Sequence, residues 1–445
     1  SNMVGKRLSL YFEGVYMNSE VFVNGQSVGK RPYGYSSFAY DITPYIKVGE
    51  QNVVAVRVDN SKQRNCRWYT GAGIYRHVWL VTTEALHVAH WGTYITTPEV
   101  TKELAKVLVA VQVKNETEAD KKAVVSVSLQ RKGVEVAKGS LPVSVASLKE
   151  NKAIIALDVK NPELWSPETP SLYEAHVTVE ADGQVMDKVS ESFGIRTFTY
   201  SATDGLRLNG QSMLLNGGCA HHDNGVLGAK SFDAAEARKV RLMKEAGFNA
   251  VRTSHNLPSE AFLHECDRQG LLVIDESFDG WRDSKTSFDY STEFDQWWQQ
   301  DVDAMVLRDR NHPSIFCWSI GNEVIERKKL EVVTTAKKLA DRIRLNDNTR
   351  PITSALAAWD ADWEIYDPLA AQHDIVGYNY MIHKSESDHE RVPERVMMQT
   401  ESYPRDAFSN WVKVNDYPYI IGDFVWTSLD YLGEAGIGRF YYKGE

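Results

Sequence analysis

The chain has 445 residues, more than one hydrophobic core usually supports, so two or three domains are expected. A net charge of −10 with no basic run argues against nucleic acid or another polyanion as a partner. No apolar stretch approaches the roughly 20 residues that span a bilayer, so no membrane partner is expected, while the compartment and assembly into a homo-oligomer stay open.

Residues 1–85 read as short strands. Leu8–Phe12, Ser19–Val23 and Asn52–Arg57 are β-branched and aromatic, and turn signals such as Asn24-Gly25 separate them. Residues 86–198 continue in the same style, with alternation over Val107–Val113, Ala123–Leu129, Ala153–Val159 and Tyr173–Val179. Strands this short and evenly spaced predict two consecutive β-sandwiches. Cys66, Cys219, Cys266 and Cys317 lie far apart without a CxxC, which argues against a zinc site or a disulfide framework.

From residue 199 to 445 the pattern changes, and short apolar runs alternate with helical segments. Met213–Asn216 precedes a helix at Asp233–Ala246, where Asp233 and Glu236 can cap the start and Gly247 the end. Ala250–Arg252 precedes a helix at Ser259–Gln269, Leu271–Asp275 precedes 293–310, and Ile315–Ile320 precedes 328–345. Ile352–Ser354, Asp374–Tyr378, Val396–Thr400 and Tyr419–Val425 supply four more strands. Eight strands mostly separated by helices predict a (β/α)8 TIM barrel. An open doubly wound sheet competes, but no Gly-rich dinucleotide loop follows any strand.

In such a barrel, reacting groups gather at the C-terminal ends of the strands. Those positions hold Asn216–Asp223, Arg252–His255, Asp275-Glu276, Asn322-Glu323, Asn379-Tyr380, Glu401 and Trp426. Two glutamates at two strand ends suit glycosidic cleavage. Breaking an acetal needs one carboxylic acid to protonate the leaving oxygen and one carboxylate to stabilise or trap the oxocarbenium-like centre. A separation of ~5–5.5 Å between them would mean retention of configuration, a wider gap inversion. Taken singly, Glu323 can equally cap a helix, Glu401 can be a paired surface acid, and Trp426 can be core. His221-His222-Asp223 has the composition of a metal cluster, but adjacent histidines in one loop rarely share an ion.

These residues resemble glycoside hydrolase family 2, the family of β-galactosidase, β-glucuronidase and β-mannosidase. Arg67–Arg76 is similar to the end of the family's sugar-binding jelly roll, and residues 86–198 to its immunoglobulin-like domain. Asn249–His255 and Val273–Glu276 are similar to its second and third barrel strands. Arg310–Glu323 matches the long acid/base signature, and Thr400-Glu401-Ser402 the nucleophile strand. The resemblance implies an exo-β-glycosidase in which Glu323 is the acid/base and Glu401 the nucleophile. By it, Asn322 binds the sugar 2-hydroxyl, Arg252 and Tyr380 orient the nucleophile with Tyr378 competing for the latter role, His255 contacts hydroxyls, and Trp426 floors the pocket. It implies a glycoside or oligosaccharide substrate.

Two departures bear on the substrate. Members with a catalytic-site magnesium carry a carboxylate shortly after the third strand, where this chain has Gly280 and Trp281, so no essential metal and no cofactor are expected. Some members place a jelly-roll aspartate in the sugar pocket, and its counterpart here is Arg67. The Asn-x-Lys motif by which family β-glucuronidases hold the uronate has no match, since no Asn follows Asn415. Arg67, Arg439 and Lys443 are the visible cations that can serve instead. β-Galactoside therefore leads, β-glucuronide follows, and a non-catalytic carbohydrate-binding relative is the alternative from another class. The first domain also lacks the early strands of a family jelly roll, and nothing follows the eighth strand to form a closing helix, which reads as a fragment of a longer protein.

Overall fold

The structure, a computed structural model, describes residues 3–357 and 362–433. Two sandwich domains precede a closed barrel, as the strand patterns predict. In the first, Arg7–Phe12 lies antiparallel between Phe38–Asp41 and Val78–Thr83, and Ser19–Val23 between Gln26–Arg31 and Val54–Arg57. In the second, Leu104–Asn115 pairs with Leu86–Val100 and Glu150–Lys160, facing a four-stranded sheet. Period-two alternation does the packing there: Ala105, Val107, Val109, Val111 and Val113 are fully buried while their neighbours face outward.

A small antiparallel sheet of Phe198–Ser201, Gly205–Leu208 and Gln211–Met213 then leads into the barrel. It corrects the first expected barrel strand. Asn209 and Gly210 both adopt positive φ, 53° and 77°, and form the two-residue hairpin turn that folds Gln211–Met213 back onto Gly205–Leu208. The barrel therefore begins later. Its strands are β1 Leu215–Ala220, β2 Ala250–Thr253, β3 Leu272–Glu276, β4 Ile315–Asn322, β5 Ile352–Ala357, β6 Val376–Asn379, β7 Met397–Ser402 and β8 Ile420–Val425. All pair in parallel and in sequence order, and β8 closes on β1.

Helices α1 Asp233–Glu245, α2 Glu260–Gln269, α3 Phe294–Asp309 and α4 Glu331–Asn346 match the expected segments, and α5 Asp367–Ala370, α6 Ser385–Arg391 and α7 Ala407–Asp416 follow. Ser259 caps α2 by accepting the amide of Phe262, and Gly270 ends it in the left-handed region. The expected cap of α1 is not made. Phe232 holds the N-cap position, and Glu236 turns away to accept hydrogen bonds from Ser231 and Asn224. All four cysteines are free, and Cys219, Cys266 and Cys317 are fully buried. No helix among the described residues is long and apolar enough to cross a membrane.

Candidate active site

The strand ends converge on one buried guanidinium. Arg252, on β2, has no exposed surface. Its Nη1 donates to Glu401 Oε1 at 2.9 Å, and its Nε and Nη2 grip Glu276 at 2.7–3.0 Å. Nη2 also reaches Asn322 Oδ1 at 2.9 Å. A buried cation needs this much compensation, because an unpaired charge in a dry interior is untenable.

Glu401 sits within β7 and is anchored at both oxygens. Arg252 holds Oε1, and the Tyr380 hydroxyl donates to Oε2 at 2.9 Å. Of Tyr378 and Tyr380, it is Tyr380 that bonds Glu401. Tyr378 is buried on the other side of β6, where its hydroxyl donates to Asp388 at 2.5 Å. Tyr380 lies just beyond the strand with φ of 58°, and its amide bonds to the Glu401 carbonyl.

Glu323 also leaves its strand through a left-handed residue, with φ of 42° and its amide held by the Ala355 carbonyl. Such conformations cost energy for a non-glycine residue and persist where the surroundings over-determine them. Among the described residues its carboxylate takes a single neutral donor, Asn379 Nδ2, at 3.0 Å. Asn379 also donates to Asn322 Oδ1 at 3.1 Å and accepts from Thr400 Oγ1 at 2.7 Å, so it ties β4, β6 and β7 together.

The two glutamates differ in environment. Burial pushes the Glu401 carboxyl up to about 7, and the charge of Glu323 adds to this while Arg252 and Tyr380 oppose it. Both Glu401 oxygens already accept strong donors, whereas Glu323 has one amide.

His255 lies between these groups. Its Nδ1 is 2.8 Å from Glu276 Oε1 and its Nε2 3.7 Å from Glu401 Oε1. Burial lowers its pKa to about 4, so the ring is neutral at neutral pH. Trp426, just past β8, stacks on His255 with ring centroids 5.3 Å apart and planes 6° from parallel. Trp68 and His221 extend the aromatic wall, stacked at 4.9 Å.

All seven residues expected from the sequence, Arg252, His255, Asn322, Glu323, Tyr380, Glu401 and Trp426, thus gather at one end of the barrel. Several partners were not chosen in advance. Glu276 was on the strand-end list without a role. Burial alone would raise its carboxyl, yet Arg252 and His255 hold it below the usual range. Its neighbour Asp275 faces the other way, toward Asp309 and Arg308 on α3, and its pKa is raised by burial and by Asp309. Asn379, the last residue of β6, was on the same list without a role. Asp279 stands three residues past β3, a carboxylate in the stretch where the sequence reading saw only Gly280 and Trp281, and loops bring in Lys285 and Trp68.

His221, His222 and Asp223 do not converge on a metal. His221 Nδ1 bonds the Ser254 carbonyl, His222 packs edge-on to Tyr35, and Asp223 accepts the amides of Gly225 and Leu432. Among the described residues, the ligand-bearing atoms of His264, Asp267 and His312 do lie within 4.8 Å of one another. There Asp267 is occupied by His312 at 2.5 Å and by the Ser314 amide at 3.0 Å, bracing the turn before β4. Arg67, expected in the glycon pocket, makes a two-point pair with Asp279. Arg439 and Lys443 lie outside the described residues.

Comparison with known proteins agrees with this architecture. The TIM barrel domain of glycosyl hydrolases family 2 matches residues 202–441, the family's central domain residues 87–196, and its sugar binding domain residues 1–84. The chain belongs to glycosyl hydrolases family 2. Beta-galactosidase BoGH2A of Bacteroides ovatus is 37% identical over 97% of this chain and 59% of its own length. A putative beta-glucuronidase of Formosa agariphila is 34% identical over 98% of the chain and 45% of its own length. A crystal structure of a family member from Bacteroides cellulosilyticus superposes with a TM-score of 0.94 at 43% identity, covering 98% of this chain and 59% of that one. The chain thus spans about half to three-fifths of the length of these relatives.

Proposed function

We propose that the protein is a retaining exo-β-glycosidase acting on terminal β-D-galactosides by double displacement. The observation that carries the reading is the unequal holding of two strand-end glutamates. Glu401 is gripped by a cation and a phenol, and among the described residues Glu323 is left with one amide donor. In the first step Glu323 gives its proton to the leaving oxygen while Glu401 Oε attacks the anomeric carbon. In the second, Glu323 takes a proton from water, which releases the sugar from Glu401. Asn322 faces the 2-hydroxyl, and Trp426 offers its face to the ring.

Both β-galactosidases and β-glucuronidases occur among the relatives. The galactoside reading rests on charge. A uronate brings a carboxylate that needs a cation to offset its desolvation. Among the described residues near the array, Arg252 is paired with Glu276 and Glu401, while Arg67 and Lys285 share one carboxylate, Asp279, so none of the three stands without an anionic partner. The test is a panel of aryl β-glycosides on the intact protein, with the first-formed anomer followed by proton NMR. The galactoside should have a higher kcat/KM than the glucuronide, and the β-anomer should appear first. A faster glucuronide would refute the sugar, and an α-anomer first would refute the mechanism.

A further inference from the structure

The loop after β3 carries a carboxylate outside the catalytic array. Asp279 is met from the first sandwich by Arg67, with Nη2 2.8 Å from Oδ1 and Nε 3.2 Å from Oδ2. Lys285 Nζ donates to Asp279 Oδ1 and to its carbonyl, both at 2.7 Å, and to the Asn322 carbonyl at 2.8 Å. Asn322 Nδ2 adds a third donor to Oδ1 at 3.0 Å. Among the described residues the load is lopsided: three donors converge on Oδ1, while Oδ2 takes the longer contact from Arg67. A carboxylate oxygen accepts about two hydrogen bonds through its lone pairs, so Oδ2 retains capacity.

Asp279 and Arg67 line a cleft whose wall also includes Trp68, Trp281, Lys285 and His255. His255 is the link to the chemistry, since its Nε2 is 3.7 Å from the nucleophile. Asn322 is a second link, bonded to both Asp279 and Arg252. Burial alone would raise the Asp279 carboxyl, but Lys285 and Arg67 hold it well below the usual carboxylate range, and it is an anion at neutral pH.

We infer that Asp279 is a specificity-determining residue whose Oδ2 accepts a hydroxyl of a neutral glycon on the side of the ring remote from the anomeric carbon. The inference rests on the glycosidase reading above and deepens it. Arg67 and Lys285 fix the carboxylate so that it is presented without reorganisation, and Trp68 supplies an apolar wall. The acid that reads the glycon then comes from the barrel, and the first sandwich contributes the arginine that positions it.

The test is a cycle on the intact protein between Asp279→Asn and aryl β-galactosides lacking the 3-, 4- or 6-hydroxyl. Deleting the contacted hydroxyl should cost the wild type about ten- to hundredfold in kcat/KM, the range for a hydrogen bond to a charged group. In Asp279→Asn the same deletion should cost less than about threefold, because the partner is already weakened. A purely structural role would lower every substrate equally, and equal penalties in both proteins at all three positions overturn the inference. Should Asp279→Asn fail to fold, Asp279→Glu keeps the charge and displaces the oxygen, and the penalty should shrink at the same hydroxyl. Wild-type inactivity on every aryl β-glycoside would instead defeat the glycosidase reading, so the two failures are distinguishable.

Discussion

Glu276 offers the sharpest test of how the array works. It is fully buried and accepts from Arg252 Nε and Nη2, from Ser319 Oγ at 2.6 Å, and faces His255 Nδ1 at 2.8 Å. Glu276→Gln changes almost no volume but turns an acceptor-only group into one that must point an N–H at a donor. Arg252 is then left with Glu401 as its sole anionic partner. Breaking a buried pair by removing one charge costs about 3–5 kcal/mol of stability. Because the native Glu276 carboxyl is depressed, its contribution is present above the ordinary glutamate pKa of about 4.3 and is lost as pH falls through the lower folded value. The melting difference between variant and native protein should therefore be largest near neutrality and shrink in acid. Activity should respond in a second way. With one negative charge gone, Arg252 acts undivided on Glu401, so the acidic limb of kcat/KM against pH should move to lower pH. A nucleophile whose charge is over-neutralised is a weaker one, and kcat should fall roughly ten- to hundredfold, the worth of one charge-assisted hydrogen bond. The assay is a pH–rate profile with an aryl β-galactoside beside thermal melts. A variant that melts earlier but keeps the native acidic limb would reduce Glu276 to a structural acid and refute the reasoning.

Glu401→Gln should abolish turnover, since loss of a nucleophile costs several orders of magnitude, while circular dichroism stays native. Its stability relative to the native protein should rise as pH increases from about 4.3 to about 7, because the native carboxyl is raised to about 7 and its ionisation destabilises the fold, whereas glutamine does not titrate; a pH-independent difference would contradict the raised value. Glu323→Ala should retain glycosylation by activated aryl substrates and regain turnover with azide, and absence of rescue would remove Glu323 from the acid/base role.

The barrel was legible because its grammar is local: eight apolar runs, helices between them, and Gly247 and Gly270 at the stops. So was the list of strand-end residues, since the fold dictates where reacting groups can stand. Alternation was harder to phase. Asp275 and Glu276 are adjacent, only one can face inward, and the choice is made by Arg252 on the next strand. Tyr378 and Tyr380 posed the same problem, settled by a strand that ends at Asn379 and a left-handed residue after it. The Asn209-Gly210 hairpin was a readable signal that moves the first barrel strand by two residues. Lys285 and Trp68 could not have been chosen, because their roles arise from contacts between a barrel loop, another loop and a separate domain.

On the proposed mechanism, the arrangement around Arg252 also bears on why Glu401 is buried with a second carboxylate nearby. A lone Arg252–Glu401 pair would be neutral and stable, and the carboxylate would have little reason to attack. Glu276 makes two of the three contacts that the guanidinium offers to carboxylates by nitrogen atom, Nε and Nη2, and leaves Nη1 for Glu401. The cation is thus shared, His255 is neutral, and the buried group of Glu276, Arg252 and Glu401 carries one excess negative charge when Glu401 is ionised. Burial, with the charge of Glu323 adding to it, raises the Glu401 carboxyl to about 7 despite two strong donors. It costs stability at neutral pH and keeps the oxygen basic, the usual tension where catalysis needs a perturbed group. On the proposed mechanism Tyr380 and Arg252 aim Glu401, and Glu276 keeps Arg252 from neutralising it fully by occupying the rest of the guanidinium.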